Sequence, residues 1–265
     1  MSMFAEERQR LVANRVAEAG RVSVTELADR FSVTTETVRR DLAALETAGV
    51  LRRVHGGAVP AGRGATSEES LLERQVQNLL EKRAIADAAA ALVASSRAGS
   101  VLLDAGSSTE ALAERLMGPL PDGQGLVVVT NALPIAEKLA ANPNLNVQLL
   151  GGRIRPLTQA AVGQATVDAV GRLRPDLAFV GANGLHAEFG LSTPDTEEAA
   201  VKAAFVRSAR RVVALVDHTK FGVEALVQFA RLDQLDAIVT DVAPTGDMAD
   251  ALAEAGVEVV EAGRP

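Results

Sequence analysis

Hydrophobic positions in the first fifty residues repeat at helical spacing and predict three short helices. The first covers residues 5–19, and Gly20 is the signal that ends it. The second opens at Ser23, which begins a capping-box pattern, and the third opens at Thr34 and ends at Gly49. The apolar positions of the three helices are Leu11, Val12, Val16 and Ala19; Val24, Leu27, Ala28 and Phe31; and Val38, Leu42 and Leu45.

The third predicted helix keeps a polar side away from its apolar stripe, with Arg40 on that side and Arg39 on the flank. Two short helices joined by a turn are the arrangement that places a recognition helix in the DNA major groove. Residues 50–57 then have the pattern of a strand, a tip with Arg52 and Arg53, and a glycine turn. The pattern therefore predicts a winged helix-turn-helix whose wing arginines reach phosphates.

Beyond residue 71 an alanine-rich helix with a charged side is followed by short apolar runs that alternate with helical stretches. This alternation predicts an α/β fold with a largely parallel sheet. The runs are residues 101–103, 126–129, 147–150, 177–180, 212–216 and 237–239. The small, turn-rich stretch 60–67 predicts a hinge, so we expect a DNA-binding domain at 1–58, a linker at 59–72 and a second domain at 73–265.

Polar residues follow five of these runs, and ligands of open α/β sheets bind beyond the carboxyl ends of the strands. Residues 106–109 (Gly-Ser-Ser-Thr) precede a helical stretch and supply backbone N–H groups, hydroxyls and a positive helix end for a phosphate. Lys220 adds a compact cation. Taken alone, the loop is more simply a strand-to-helix turn with hydroxyl caps. Because the chain lacks the phosphate-loop and dinucleotide glycine motifs, a small phosphorylated ligand fits better than a nucleotide.

Composition narrows the class of protein. The 265 residues contain no cysteine, which excludes disulfides and thiolate chemistry, and the three histidines lie too far apart to predict a metal site. No apolar run is long enough for a membrane span, and the charged start lacks a secretion signal, so we expect a cytoplasmic protein. The net charge is −7, yet residues 1–57 hold nine arginines against eight acidic side chains.

Residues 22–28, 37–42 and 51–58 together resemble the signature of the DeoR-type transcriptional repressors. The resemblance implies a winged helix-turn-helix in which DNA is contacted by Thr35, Thr37, Arg39, Arg40, Arg52, Arg53 and His55. A different interpretation stays open for each arginine, since Arg39, for example, could pair with Asp41 or Glu46 on a solvated face. We expect Asp41 to orient an arginine or cap a neighbour, because phosphates repel a carboxylate.

Residues 73–243 resemble the sensor domain of the same family, notably at 149–152, 176–181 and 217–222. The resemblance implies a Rossmann-like fold related to ribose-5-phosphate isomerase, glucosamine-phosphate deaminase and CoA-transferase, and a phosphosugar that releases the repressor from DNA. No cofactor is implied. The implied effector site is Asp104, Gly106, Ser107, Ser108, Thr109, Thr130, Asn131, Gly152, Asp217 and Lys220. Glu198 and Lys202, four apart on a helix, are interpreted as a surface pair.

Two other functions remain open at this point. An active sugar-phosphate isomerase could use Asp104, Asp217 and Lys220 for proton transfer, and a helix-turn-helix can bind protein partners instead of DNA. The fused DNA module and the outward arginine pairs favour a regulator that is not an enzyme. We also expect at least a homodimer formed through the sensor, since one recognition helix reads few base pairs. The effector is expected to be fructose 1-phosphate or another phosphoketose or pentose phosphate.

Overall fold

The computed structural model describes residues 5–19, 22–48, 50–54, 56–60, 68–118 and 125–263. The chain divides into two compact units, Met1–Gly64 and Ala65–Pro265. The first has one hydrophobic core and the second has two. None of the described helices combines the length and the hydropathy that crossing a membrane requires.

The first unit is a three-helix bundle with a small sheet. Its elements are α1 (Ala5–Ala19), β1 (Val22–Ser23), α2 (Val24–Phe31), α3 (Thr35–Thr47), β2 (Leu51–Val54) and β3 (Gly57–Pro60). The predicted caps are confirmed: the hydroxyl oxygens of Ser23 and Thr34 accept the N–H groups of Glu26 and Thr37 at 3.0 and 3.2 Å. The turn from α2 to α3 passes through Ser32 in the left-handed region, with φ 51°.

The wing is the antiparallel pair β2–β3, and β1 pairs with the other side of β3. Glycine is required at position 57, because a Cβ there would lie 2.0 Å from the carbonyl oxygen of Val22. This close approach joins the wing to the start of α2. The sequence-based prediction of a winged helix-turn-helix is confirmed.

An ion pair replaces part of the expected apolar face of α1. Leu11 is 36% exposed, so its predicted place in the core is wrong, whereas Val12 and Val16 are buried. Arg8, one turn earlier, is buried and pairs with Asp41 of α3, with Nε–Oδ2 2.5 Å and Nη2–Oδ1 3.2 Å. The expectation that Asp41 orients an arginine is confirmed, and the pair fixes α1 against the middle of α3.

The second unit is built around a parallel sheet. Its helices are α4 (Leu71–Val76), α5 (Leu79–Ser96), α6 (Ser107–Leu116), α7 (Leu133–Ala140), α8 (Gln164–Gly171), α9 (Thr196–Ser208) and α10 (Asp247–Glu254). Its strands are β4 (Ser100–Leu103), β5 (Leu126–Thr130), β6 (Leu145–Leu149), β7 (Arg153–Arg155), β8 (Ala160–Val162), β9 (Leu177–Gly181), β10 (Gly184–His186), β11 (Gly190–Thr193), β12 (Arg211–Leu215), β13 (Val227–Ala230), β14 (Ala237–Thr240) and β15 (Glu258–Glu261).

Seven strands form the main sheet, in the order β15-β14-β12-β9-β4-β5-β6, and all its neighbours are parallel. All six predicted strands belong to it, so the α/β prediction is confirmed. The edge strand β15 was not predicted, nor were the antiparallel groups β7–β8 and β10-β11-β13. Strand order reverses between β4 and β9, since β5 and β6 extend one way and β9, β12 and β14 the other. Crevices at such a point bind ligands.

Both faces of the sheet are covered. In β4, Val101 and Leu103 belong to one hydrophobic core and Leu102 to the other, because successive side chains point to opposite faces. β9 shows the same alternation at Phe179 and Ala178. Burial on both faces explains why the central strands are continuous apolar runs in the sequence.

Candidate DNA-binding surface and effector site

The outward side of α3 carries the side chains predicted to contact DNA. Thr35, Arg39 and Arg40 are exposed and Thr37 is partly buried, where its hydroxyl lies 2.9 Å from that of Thr34. Arg39 pairs loosely with Glu36 at 3.7 Å, and both side chains are mostly exposed. Such a contact contributes little, so the guanidinium is available to another partner.

The wing contributes Arg53, whose side chain is half-exposed. Its Nε and its backbone N–H donate to the two carboxylate oxygens of Glu46 at 2.6 and 2.9 Å, which lowers the pKa of Glu46. This contact ties the wing to the end of α3. The side chain of Arg52 and the whole of His55 lie outside the described residues.

A cavity opens at the carboxyl ends of β4, β9 and β12, beside the reversal of strand order. It is lined by Arg74, Gln77, Asn78, Lys82, Ala105, Gly106, Ser107, Ser108, Gly181, Ala182, Asn183, Lys202, Leu215, Val216, Asp217 and Lys220. Five predicted effector residues are on this wall: Gly106, Ser107, Ser108, Asp217 and Lys220. The segment from Arg74 to Lys82 was not predicted to take part.

The start of α6 has the features of an anion cradle. Gly106 is its N-cap, and no side chain caps the first turn, so backbone N–H groups and the positive helix end face the cavity. The hydroxyl of Thr109 does not reach this space. It is buried and donates to the carbonyl oxygens of Asp104 and Gly106, both at 2.9 Å. Thr109 therefore holds the loop in shape.

Four cationic side chains and one carboxylate line the cavity, so its surface is positive. Lys220 was predicted; Arg74, Lys82 and Lys202 were not. Lys82 is 5% exposed, and its ammonium donates to the carbonyl oxygens of Gln77, at 2.8 Å, and of Arg74. Burial, opposed by the charge of Asp217, lowers the pKa of Lys82 to about 8. The alanine-rich pattern of α5 indicates that the alanines near Lys82 are buried, but it does not predict that Lys82 itself is buried.

Asp104 and Lys202 form a buried ion pair beneath the cavity. Oδ2 of Asp104 also accepts the N–H of Gly181 at 2.9 Å, and Lys202 donates to the carbonyl oxygen of Gly181 at 3.0 Å. The ammonium lies 5.5 Å from the ring centroid of Phe229, within cation–π range. Asp104 thus lies behind the cavity wall and positions a cation that forms part of it.

The prediction that Glu198 and Lys202 form a surface pair is wrong, since both are buried. Glu198 accepts hydrogen bonds from Arg155, at 3.2 Å, and from Thr158, and burial raises its pKa. Four-residue spacing places two side chains on one side of a helix, but only the packing of α9 against the sheet decides that this side is covered.

Besides Asp104 and Thr109, three more predicted effector residues are absent from the cavity lining: Thr130, Asn131 and Gly152. The hydroxyl of Thr130 accepts the N–H of Ala132 at 3.1 Å, and the amide of Asn131 donates to Ala161 at 2.9 Å. Gly152 packs closely against Thr166, since a Cβ at position 152 would lie 2.1 Å from Oγ1 of Thr166. These residues lie at or just beyond the carboxyl ends of β5 and β6, on the far side of β4 from β9 and β12.

Two polar groups of the cavity are suited to hydroxyls. Oδ1 of Asp217 accepts from Asn78, at 3.1 Å, and from Thr219, whereas Oδ2 accepts no hydrogen bond from the described residues and is available to a ligand. Asn183 accepts the hydroxyl of Thr193 at 3.1 Å, so its NH₂ group is the part left to donate. Within the described ranges, no three histidine or acidic side chains are grouped so that they could hold a metal ion.

Comparison with known families agrees with this arrangement. The profile of the DeoR-like helix-turn-helix domain matches residues 8–62, and that of the DeoR C terminal sensor domain matches residues 77–242. The chain belongs to the DeoR family of transcriptional regulators. As a DeoR-family member it is a DNA-binding regulator, which the helix-turn-helix unit explains.

Relatives of this DeoR-family chain match along almost its whole length. The HTH-type transcriptional regulator GlpR of Haloferax volcanii is 37% identical over 98% of this chain and 98% of its own. The glycerol-3-phosphate regulon repressor of Escherichia coli K12 is 31% identical over 90% and 91%. Among solved structures, ribose 5-phosphate isomerase A of Methanocaldococcus jannaschii is 19% identical over 53% of each chain, with a TM-score of 0.38. This last similarity says nothing about activity.

Proposed function

We propose that this DeoR-family regulator is a cytoplasmic repressor of carbohydrate genes that leaves its operator when a small phosphorylated sugar or polyol occupies the cavity. The observation behind the proposal is the convergence of four cationic side chains and an uncapped helix start on one cavity. A dianionic phosphate matches that charge. The E. coli relative is named for glycerol 3-phosphate, and on this ground we add a phosphorylated polyol to fructose 1-phosphate as a candidate.

In this proposal Ser107, Ser108 and Lys220 hold the phosphate, and Asp217 and Asn183 bind hydroxyls. We assign no catalysis to the site, because Asp104 is engaged by Lys202 and Gly181 and does not line the cavity. The DNA contacts are proposed for the outward side of α3 and for the wing. A dimer formed through the sensor is proposed so that two recognition helices read two half-sites.

The test begins with an operator selected from a random duplex pool. Fructose 1-phosphate, glycerol 3-phosphate and ribose 5-phosphate are titrated into the complex, with the unphosphorylated compounds as controls, and release is followed by fluorescence anisotropy. We expect one phosphorylated compound to release DNA and to raise the melting temperature of the protein. Turnover of any of these compounds, followed by ³¹P NMR, would contradict the non-enzymatic assignment.

Phosphate affinity is expected to fall as pH rises above about 8. Lys82 loses its proton near that pH in the free protein, whereas a phosphate monoester stays dianionic because its second pKa is about 6. The anion binds the protonated lysine more tightly, so affinity decreases by up to about tenfold between pH 8 and 9. The charges acting on Lys82 are Asp217, Lys220, Arg74 and Glu69.

Calorimetric titration from pH 7 to 9 measures this dependence. Lys82→Met should bind more weakly, with a flatter pH profile. Lys138→Met, which removes a cation paired with Glu110 and Glu114 outside the cavity, should keep the wild-type profile. An equal slope in Lys82→Met would assign the pH dependence to another group.

A further inference from the structure

The chain segment Glu68–Asn78, called here the strap, forms one wall of the cavity. Three of its residues, Arg74, Gln77 and Asn78, line the cavity. In the sequence the strap begins eight positions after Pro60, the last residue of the wing strand β3, so it is the first described part of the sensor unit after the connection to the wing. Any change in the position of the strap therefore acts directly on the connection to the DNA-binding unit.

Polar contacts hold most of the strap in place. Leu71 is the buried residue of α4, whereas Leu72 and Val76 are 67% and 76% exposed. A six-residue helix with so little apolar burial has little stability of its own. Its anchors to the sheet domain are polar: Glu68 to Arg155 at 2.6 Å, Leu71 N–H to Leu157 O at 3.0 Å, Gln75 to Glu110 at 2.6 Å, and Asn78 to Asp217 at 3.1 Å.

Arg74 has unused hydrogen-bonding capacity at the cavity. Its Nε and Nη2 are buried and have no hydrogen-bond partner among the described residues. Glu68 is the acidic neighbour, and its Oε1 lies 4.0 Å from Nη2, beyond hydrogen-bonding distance. A buried guanidinium with unmade hydrogen bonds is costly. A ligand with several acceptor oxygens in the cavity would supply the missing partners.

Repulsion between like charges also destabilises the strap in its position at the cavity when no anion is bound there. Lys202 is paired with Asp104, but Arg74 lines the cavity with Lys82 and Lys220, and these three cations share Asp217 as the one carboxylate of the lining. Their mutual repulsion is relieved when an anion lies among them. Lys82 binds the carbonyl oxygens of Arg74 and Gln77, so the same ammonium contacts both the cavity and the strap. An anion therefore stabilises the strap in its position at the cavity more than a strap that has moved away from the cavity. A switch requires such a difference in interaction between two states.

We propose that Arg74 binds the phosphate of the effector from the strap, and that the resulting ordering of Glu68–Asn78 is the signal passed to the DNA-binding unit. The inference rests on the proposed function, because it takes this cavity as the effector site. It adds a binding residue and a route of regulation. The ligand chemistry required is a phosphate dianion, so inorganic phosphate serves as the probe.

Hydrogen exchange of the full-length protein, read by mass spectrometry, tests the proposal. Saturating inorganic phosphate is compared with chloride at equal ionic strength. In the wild type we expect exchange to slow several-fold both in residues 70–78 and at the start of α6, residues 107–110. Arg74→Gln should weaken phosphate binding roughly ten- to hundred-fold, as expected for a lost charged hydrogen bond. At phosphate concentrations that protect 107–110 equally, it should leave 70–78 unprotected.

Two further variants control for folding. Arg83→Gln removes an exposed arginine of α5 that does not line the cavity and should behave as the wild type. Glu68→Gln loosens the anchor to Arg155 and should speed exchange of 70–78 without phosphate while keeping its slowing by phosphate. Protection of 107–110 with no change at 70–78 in the wild type would overturn the strap proposal alone. Protection of neither region by phosphate or by the sugar phosphates would overturn the effector site and the strap together.

Discussion

Replacing Lys202 with methionine is expected to lower the free energy of unfolding of the Ala65–Pro265 unit by about 3–5 kcal/mol, the usual effect of removing one partner from a buried ion pair. The carboxylate of Asp104 would stay buried, with the Gly181 N–H as its remaining partner at Oδ2. Its Oδ1 is already buried and has no hydrogen-bond partner in the part of the chain that the structure describes. Among the described residues no other donor is placed to replace the ammonium, so the variant bears the full desolvation cost of the buried charge.

Urea unfolding followed by circular dichroism measures this effect, since the chain has no tryptophan or tyrosine for fluorescence. Lys138→Met is the matched control, and its loss should stay within about 1 kcal/mol because its ion pairs are partly solvated. Adding Asp104→Asn to Lys202→Met should recover part of the stability, because the uncompensated charge is gone. A loss in Lys202→Met no larger than in Lys138→Met would contradict the buried-pair interpretation.

Operator recognition is expected to depend most on Arg40. Its side chain is exposed on the outward side of α3, where a recognition helix meets base edges. Arg40→Ala should weaken binding to the selected operator by about 1–3 kcal/mol, roughly 5- to 150-fold, and reduce discrimination against random DNA. Arg53→Ala, in the wing, should weaken operator and random DNA alike and lower the salt dependence, as loss of a phosphate contact does.

Anisotropy titrations at four salt concentrations, with operator and random duplexes, separate these effects. Arg83→Ala, on the exposed side of α5, is the control and should bind as the wild type. If Arg40→Ala lost affinity equally for both duplexes, its contact would be to the backbone. Unchanged affinity for both would remove α3 as the reading helix.

Much of the DNA-binding unit could be predicted from local patterns. The bounds of α1 and the caps at Ser23 and Thr34 agree with the structure, because capping bonds join residues three apart and helical spacing shows directly in the sequence. The exception is Arg8, which takes a core position beside Asp41. That burial depends on how α1 crosses α3, which no local pattern contains.

The central strands of the sensor could also be predicted from the sequence, because strands buried on both faces are continuous apolar runs. Only some of the residues that line the cavity could be predicted from the sequence. Parts of the loops after β4 and β12 line the cavity together, whereas Thr130, Asn131 and Gly152 do not line it. Three cationic residues that were not predicted, Arg74, Lys82 and Lys202, line it as well.

Local sequence patterns were thus enough to predict the helices of the DNA-binding unit with their caps, six of the seven strands of the main sheet, the polar loops at the strand ends and the family. Which of those loops meet, and which charges are buried, depends on the packing of the whole domain. Hydrogen bonds within helices and turns join near neighbours, whereas strand order brings together residues as distant as Asp104 and Lys202. Their contact exists because β4 lies beside β9 and because α9 packs over the sheet.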